Sequence, residues 1–235
     1  MIKQTPGKIF LADQRGLTET SRFRRYSTFS FGTYAHEHKT AFGPLYAVNE
    51  ETLGGGQTLE FGAEQAAYLV LLPVTGEVLV SGAAGAVAAV GVEEVQVLTL
   101  PAGSTVRLTN PYATELVTFL HVWLHAAPAG VPAASHTFGF ALPALTNQLA
   151  EVVAVRQPDY QLPFAVRLGC FAGRHEVLHP VPANASLFAY VLAGAFEVEG
   201  RLLHEKDGLA LWNSEAVELE ALSNNALILV LELHS

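Results

Sequence analysis

A chain of 235 residues, half of them apolar and only 15% charged, can bury a substantial core in one large or two modest domains. Its net charge of −9 argues against a nucleic-acid surface, which needs clustered Lys and Arg, and its one cysteine, Cys170, excludes an intrachain disulfide. No apolar run reaches the ~18 residues of a membrane-spanning helix, and the opening MIKQTPGKIFLADQRG has no apolar signal-peptide core, so cytoplasmic residence is the expectation.

Glycine and proline are spread along the whole chain with Val, Leu, Ala and Thr between them, a composition that predicts many short strands and an all-β fold. Residues 1–39 hold seven of the thirteen basic residues against three acids, whereas residues 40–155 hold nine acids and one base, Arg107. The basic segment is expected to dock on the acidic body of its own chain; a phosphate or carboxylate site at Arg22, Arg24 and Arg25 is the alternative.

Further along, two halves echo each other. Ala66–Gly82 and Ser186–Gly200 each read as an apolar strand, a Gly turn (Gly76, Gly194) and an alternating strand ending at another Gly. Val95–Asn110 is echoed by Gly208–Ala221, and each half closes with an apolar strand, Leu116–Leu124 and Ala226–Leu233. Period-2 alternation, as in Phe196 and Val198 against Glu197 and Glu199, predicts half-buried strands with a wet outer face. Pro128–Pro143 reads as a junction and places a boundary near residue 130, giving domains 1–130 and 131–235; Ala144–Val155 reads equally as a short helix or a strand. Strand–turn–strand units repeated in this way predict two small β-barrels.

The stretch RRYSTFSFGTYAHEHKTAFGPLYAVNEETLGGG, Arg24–Gly56, resembles the N-terminal block of the pirin family, through Tyr26–Phe31, Tyr34, Phe42–Leu45 and Val48–Glu50. Leu98–Arg107 and Phe119–Trp123 resemble later pirin segments, and Leu187–Gly194 with the terminal apolar strand resembles the C-terminal cupin of quercetinase-like pirins. The resemblance implies two tandem cupin, jelly-roll β-barrel domains. It also implies an iron site in the first barrel, built from two His at i and i+2, a carboxylate, and a His on a later strand. Residues i and i+2 of a strand share a face roughly 6–7 Å apart, so two imidazoles there converge on one ion. Counted from the Gly76 turn, the corresponding positions here are Gly62, Glu64 and Tyr68; counted from the Pro101-Ala102-Gly103 turn, the last is Leu108, with Asn110 two residues beyond. The expectation is therefore a degenerate metal site and no cofactor.

Other constellations are read as structural. His36 and His38 lie in a loop ahead of the first barrel. His175 and His179, four residues apart on a strand, stand ~13 Å apart, too far for one ion. Cys170 reads as a small apolar filler; a sensor role would need a lowered pKa, for which Arg167 and Arg174 are the nearby candidates. His121 and Trp123 share one face of the closing strand. If that face looks inward, His121 joins Glu64, Tyr68 and Asn110 around a polar pocket, where His and Glu either satisfy each other or act as an acid–base pair.

The function expected is that of a metal-free bicupin binding an unknown small molecule or a protein partner, with neither nucleic acid nor membrane as partner. A metal-dependent oxygenase of the quercetin 2,3-dioxygenase kind is the alternative implied by the resemblance.

Overall fold

The computed structural model describes residues 5–82, 87–127, 132–157 and 160–234. Among these, the helical pieces are two short 3-10 turns, Ala12–Gln14 and Leu142–Leu145, and everything else regular is strand. The first half comprises β1 (Gly7–Phe10), β2 (Gly16–Glu19), β3 (Phe23–Ser27), β4 (Leu45–Leu53), β5 (Thr58–Gly62), β6 (Ala67–Thr75), β7 (Val78–Ser81), β8 (Val87–Val90), β9 (Glu94–Leu100), β10 (Thr105–Thr109), β11 (Val117–His125) and β12 (Ala134–Gly139). The second comprises β13 (Ala150–Val153), β14 (Phe164–Phe171), β15 (Glu176–Pro180), β16 (Ala185–Ala193), β17 (Phe196–Val198), β18 (Arg201–Leu203), β19 (Gly208–Leu211), β20 (Ala216–Ala221) and β21 (Ala226–His234).

The chain divides into two compact units, Arg15–Gly139 and Phe140 onward, the latter joined by the residues up to Gln14. The junction placed near residue 130 falls among residues 128–131, outside the described residues. The basic N-terminal segment is split between the units. Its first strand, β1, pairs antiparallel with β19, Gly7 opposite Leu211 and Phe10 opposite Gly208, and so forms an edge of the second unit's large sheet. Of the stretch Ala144–Val155, Leu142–Leu145 overlaps the start as a 3-10 turn and β13 takes the end as a strand.

Each unit is a jelly roll of one large and one four-stranded sheet. In the N-terminal unit the orders are β12-β9-β6-β11-β4-β3-β2 and β5-β10-β7-β8; in the C-terminal unit they are β1-β19-β16-β21-β14-β13 and β15-β20-β17-β18. The repeat seen in the sequence is the same wiring used twice: β6 lies between β9 and β11, and β16 between β19 and β21. Both repeated turn glycines are required. Gly76 and Gly194 have φ of 70° and 78°, and a Cβ would meet Val117 Cγ1 at 2.9 Å in the first case and Ser223 Oγ at 2.3 Å in the second.

Alternation decides which side chains enter each barrel. From β6, Ala67, Leu69 and Leu71 join the N-terminal core with Val80, Leu108, Phe119 and Trp123. The C-terminal core uses Leu187, Ala189 and Val191 of β16 with Phe196, Leu219, Ile228 and Val230. Fully buried aliphatic and aromatic side chains of this kind contribute about 1.5–3 kcal/mol each.

Candidate functional site

On β4 the inward positions are Leu45, Ala47, Asn49, Glu51 and Leu53, so strict alternation carries two polar residues into an otherwise apolar face. In register with them, Arg25 of β3 and Phe119 of β11 flank Glu51, while Ser27 and His121 flank Asn49. Asn49, Glu51 and His121 are all fully buried, and Arg25 is 9% exposed.

The geometry is that of a closed network. Arg25 Nε donates to Glu51 Oε2 at 2.6 Å, and His121 Nε2 lies 3.1 Å from the same oxygen. Trp123 Nε1 donates to His121 Nδ1 at 2.9 Å. An indole N–H can only donate, so Nδ1 is the acceptor and the neutral ring carries its proton on Nε2, where it donates to Glu51. Burial pushes the His121 pKa down, against the opposing pull of the Glu51 hydrogen bond and charge, so the ring is held neutral. Glu51 Oε1 and both polar atoms of the Asn49 side chain are buried without a partner among the described residues.

Arg25 also lines a cavity of about 790 Å³ in the N-terminal barrel. Its guanidinium lies 5.1, 5.3 and 5.1 Å from the ring centres of Phe23, Phe31 and Phe61, within cation–π range. Tyr46, Trp123 and His125 contribute further walls, with His125 stacked on Tyr46 at 4.3 Å. Burial, and secondarily the charge of Glu64, pushes the Tyr46 phenol up to about 12, so it presents a protonated hydroxyl.

The four residues grouped by the sequence do not converge. Glu64 is exposed and lines the cavity. His121 is on the inward face, but its carboxylate partner is Glu51. Tyr68 alternates with the inward Ala67 and Leu69 and so belongs to the opposite face of its sheet. Asn110 is a clamp for the 110–115 turn: its Nδ2 donates to the carbonyls of Leu53 at 2.9 Å and Glu115 at 2.7 Å, and its Oδ1 accepts from Tyr112 N at 3.0 Å.

Of the three arginines, Arg24 pairs with Glu19 on the exposed side of β3, whereas Arg22 and Arg25, the latter paired with Glu51, both line the cavity. His36 and His38 are exposed, and the His36 Nδ1 is taken by His38 N at 3.1 Å. Arg174 pairs with Glu220, and Arg167 with Glu151 and Glu232, so both cations near Cys170 in sequence hold carboxylates.

A second network occupies the C-terminal unit. Glu232 Oε1 accepts from Arg167 Nε and from His179 Nε2 at 2.8 Å, and Arg167 reaches Glu151 at 2.7 Å. Burial alone would raise the Glu232 carboxyl, but the hydrogen bonds from His179 and Arg167 and their charges outweigh it, and its pKa is lowered to about 2. His175, by contrast, stacks on Phe171 at 5.8 Å.

Glu51 was missed in the sequence, although its signal was present: it occupies a fourth consecutive inward position in a strand whose other inward members are mostly apolar.

Residues 164–233 match the model of the quercetinase C-terminal cupin domain. Quercetin 2,3-dioxygenase of Escherichia coli K12 is 21% identical over 220 residues, covering 93% of this chain and 95% of that protein. Among solved structures, YhhW of E. coli superposes with a TM-score of 0.86 at 19% identity over 98% of this chain and all of that one. The chain is a pirin-like, quercetinase-like bicupin. Bacterial pirin YhhW of E. coli in complex with nickel(II) superposes similarly, with a TM-score of 0.85 at 19% identity over 97% of this chain and 99% of that one.

In this bicupin the positions implied for a metal do not fit one. Gly62 brings no donor, and a Cβ there would meet nothing within 4 Å. Glu64 is exposed, Tyr68 is turned away, and Leu108 is buried in the apolar core. No group of three or more His, Cys, Asp or Glu suited to a metal ion occurs among the described residues. No helix among them is long and apolar enough to cross a membrane.

Proposed function

We propose that this bicupin is a metal-free binding protein that holds a small molecule in the cavity of its N-terminal barrel. The observation carrying this reading is the cavity itself. About 790 Å³ of space, within the range of small-molecule sites, is walled by aromatic rings and by Arg25 paired with a buried carboxylate. A barrel packed solid by its own side chains would instead favour a surface that recruits a protein partner. Cytoplasmic residence goes with the lone Cys170, and a net charge of −9 speaks against nucleic acid as a partner.

Mass spectrometry of small molecules released from the purified protein, paired with elemental analysis, tests this. The expected result is a co-purifying organic compound and less than stoichiometric iron, nickel, copper or zinc. One equivalent of metal retained per chain would overturn the metal-free reading.

A metal-dependent oxygenase is the second reading, favoured by the name of the E. coli relative, quercetin 2,3-dioxygenase. It predicts quercetin consumption by protein incubated with iron or nickel. No turnover above the metal-only control is expected, because Glu64 is the one carboxylate or imidazole among the four implied positions.

A further inference from the structure

We propose that the cavity of the N-terminal barrel binds a monocarboxylate carrying an apolar ring, held by the free end of the Arg25 guanidinium. The inference rests on the small-molecule reading and names the chemistry of the ligand.

A guanidinium has five N–H donors in a planar fork. Arg25 uses one, Nε, on Glu51. Among the described residues its terminal nitrogens donate to no acceptor, although the residue is only 9% exposed and the exposed part lines the cavity. The ring faces of Phe23, Phe31 and Phe61 steady the planar cation but cannot take the in-plane N–H groups. The terminal donors of a cation that is otherwise packed against aromatic rings are thus left available to a ligand in the cavity. A carboxylate is the group whose two oxygens match two parallel guanidinium N–H bonds.

Charge sets the limit on the anion. Glu51 already offsets Arg25, Glu60 is engaged by Arg107 at 2.7 Å, and the remaining charged lining residues, Arg22 and Glu64, are of opposite sign. The lining charges therefore cancel, so a monoanion adds one uncompensated negative charge to the site whereas a phosphate dianion adds two beside Glu64. The body of the ligand is set by Phe31, Phe61, Tyr46 and Trp123, which offer apolar faces and edges to a ring.

The test uses the full chain with benzoate and its neutral isostere benzamide, titrated by calorimetry and by ligand-observed NMR, on wild type and Arg25→Lys. Lysine keeps a cation beside Glu51 but loses the fork, and circular dichroism checks that the variant is folded. Saturable benzoate binding is expected, with benzamide at least tenfold weaker and Arg25→Lys at least tenfold weaker for benzoate alone. Equal binding of the two probes, or an unchanged benzoate affinity in Arg25→Lys, overturns the inference while leaving the cavity a small-molecule site. Failure of benzoate to bind at millimolar concentration also overturns it; if the purified protein carries no organic compound either, the broader reading falls with it. Should Arg25→Lys not fold, the wild-type benzoate-to-benzamide ratio decides, a ratio below tenfold counting against the inference.

Discussion

Glu51 and Glu232 are bonded alike: one oxygen of each carboxylate accepts both an arginine Nε and a histidine Nε2. The two are not repeat equivalents. Glu51 lies on β4 and takes its histidine from the adjacent β11, whereas Glu232 lies on β21, the counterpart of β11, and takes its histidine from β15 of the other sheet. Each unit has found the same electrostatic solution from different strands, because a buried carboxylate must be both charge-paired and hydrogen-bonded to be tolerated.

Acid stability follows from Glu232. Its pKa is lowered from 4.5 to about 2 on folding, so its contribution is fully present above about 4.5 and is lost as pH falls toward about 2. The shift corresponds to about 3 kcal/mol at most. Urea unfolding midpoints of wild type should decline across this window, and those of Glu232→Gln should be flatter there. Parallel curves would refute the assignment.

His121 titrates in the opposite sense to an exposed histidine that gains a partner. Its folded pKa is lowered below 6.5, so the neutral ring favours the folded state above that value, and stability falls as pH drops below it. Ring nitrogen NMR should show a neutral Nε2–H tautomer persisting below pH 6.5. A histidinium signal for His121 near its ordinary pKa would contradict the network.

Removing Arg25 alone should be severe. Arg25→Met leaves the Glu51 carboxylate buried without its cation and should cost about 3–5 kcal/mol in urea unfolding, whereas Arg25→Met with Glu51→Gln should recover most of that loss. A single variant within about 1 kcal/mol of wild type would show that the pair is not desolvated as the structure has it.

Asn110 and Glu64, grouped together by sequence position, should separate cleanly. Asn110→Ala strips partners from the Leu53 and Glu115 carbonyls and from Tyr112 N, and should cost at least about 1–3 kcal/mol. Glu64→Gln, at an exposed position, should stay within about 0.5 kcal/mol of wild type. Thermal and urea unfolding of both variants distinguish the two roles.

Local pattern determined much about this protein. Glycine turns at 76 and 194, the doubled strand sequence and period-2 alternation specified an all-β chain of two like barrels, because side-chain direction along a strand and positive φ at a tight turn are properties of a few consecutive residues. The same locality made Gly62 and Leu108 legible as positions without metal donors. What tertiary structure alone decided was partnership. Whether the His121 face looked inward, that Glu51 rather than Glu64 is its carboxylate, that Tyr68 and Asn110 belong elsewhere, and that β1 pairs with β19 all depend on register between strands far apart in the chain. Such pairing is set by the burial of whole faces, and no short stretch of sequence contains it.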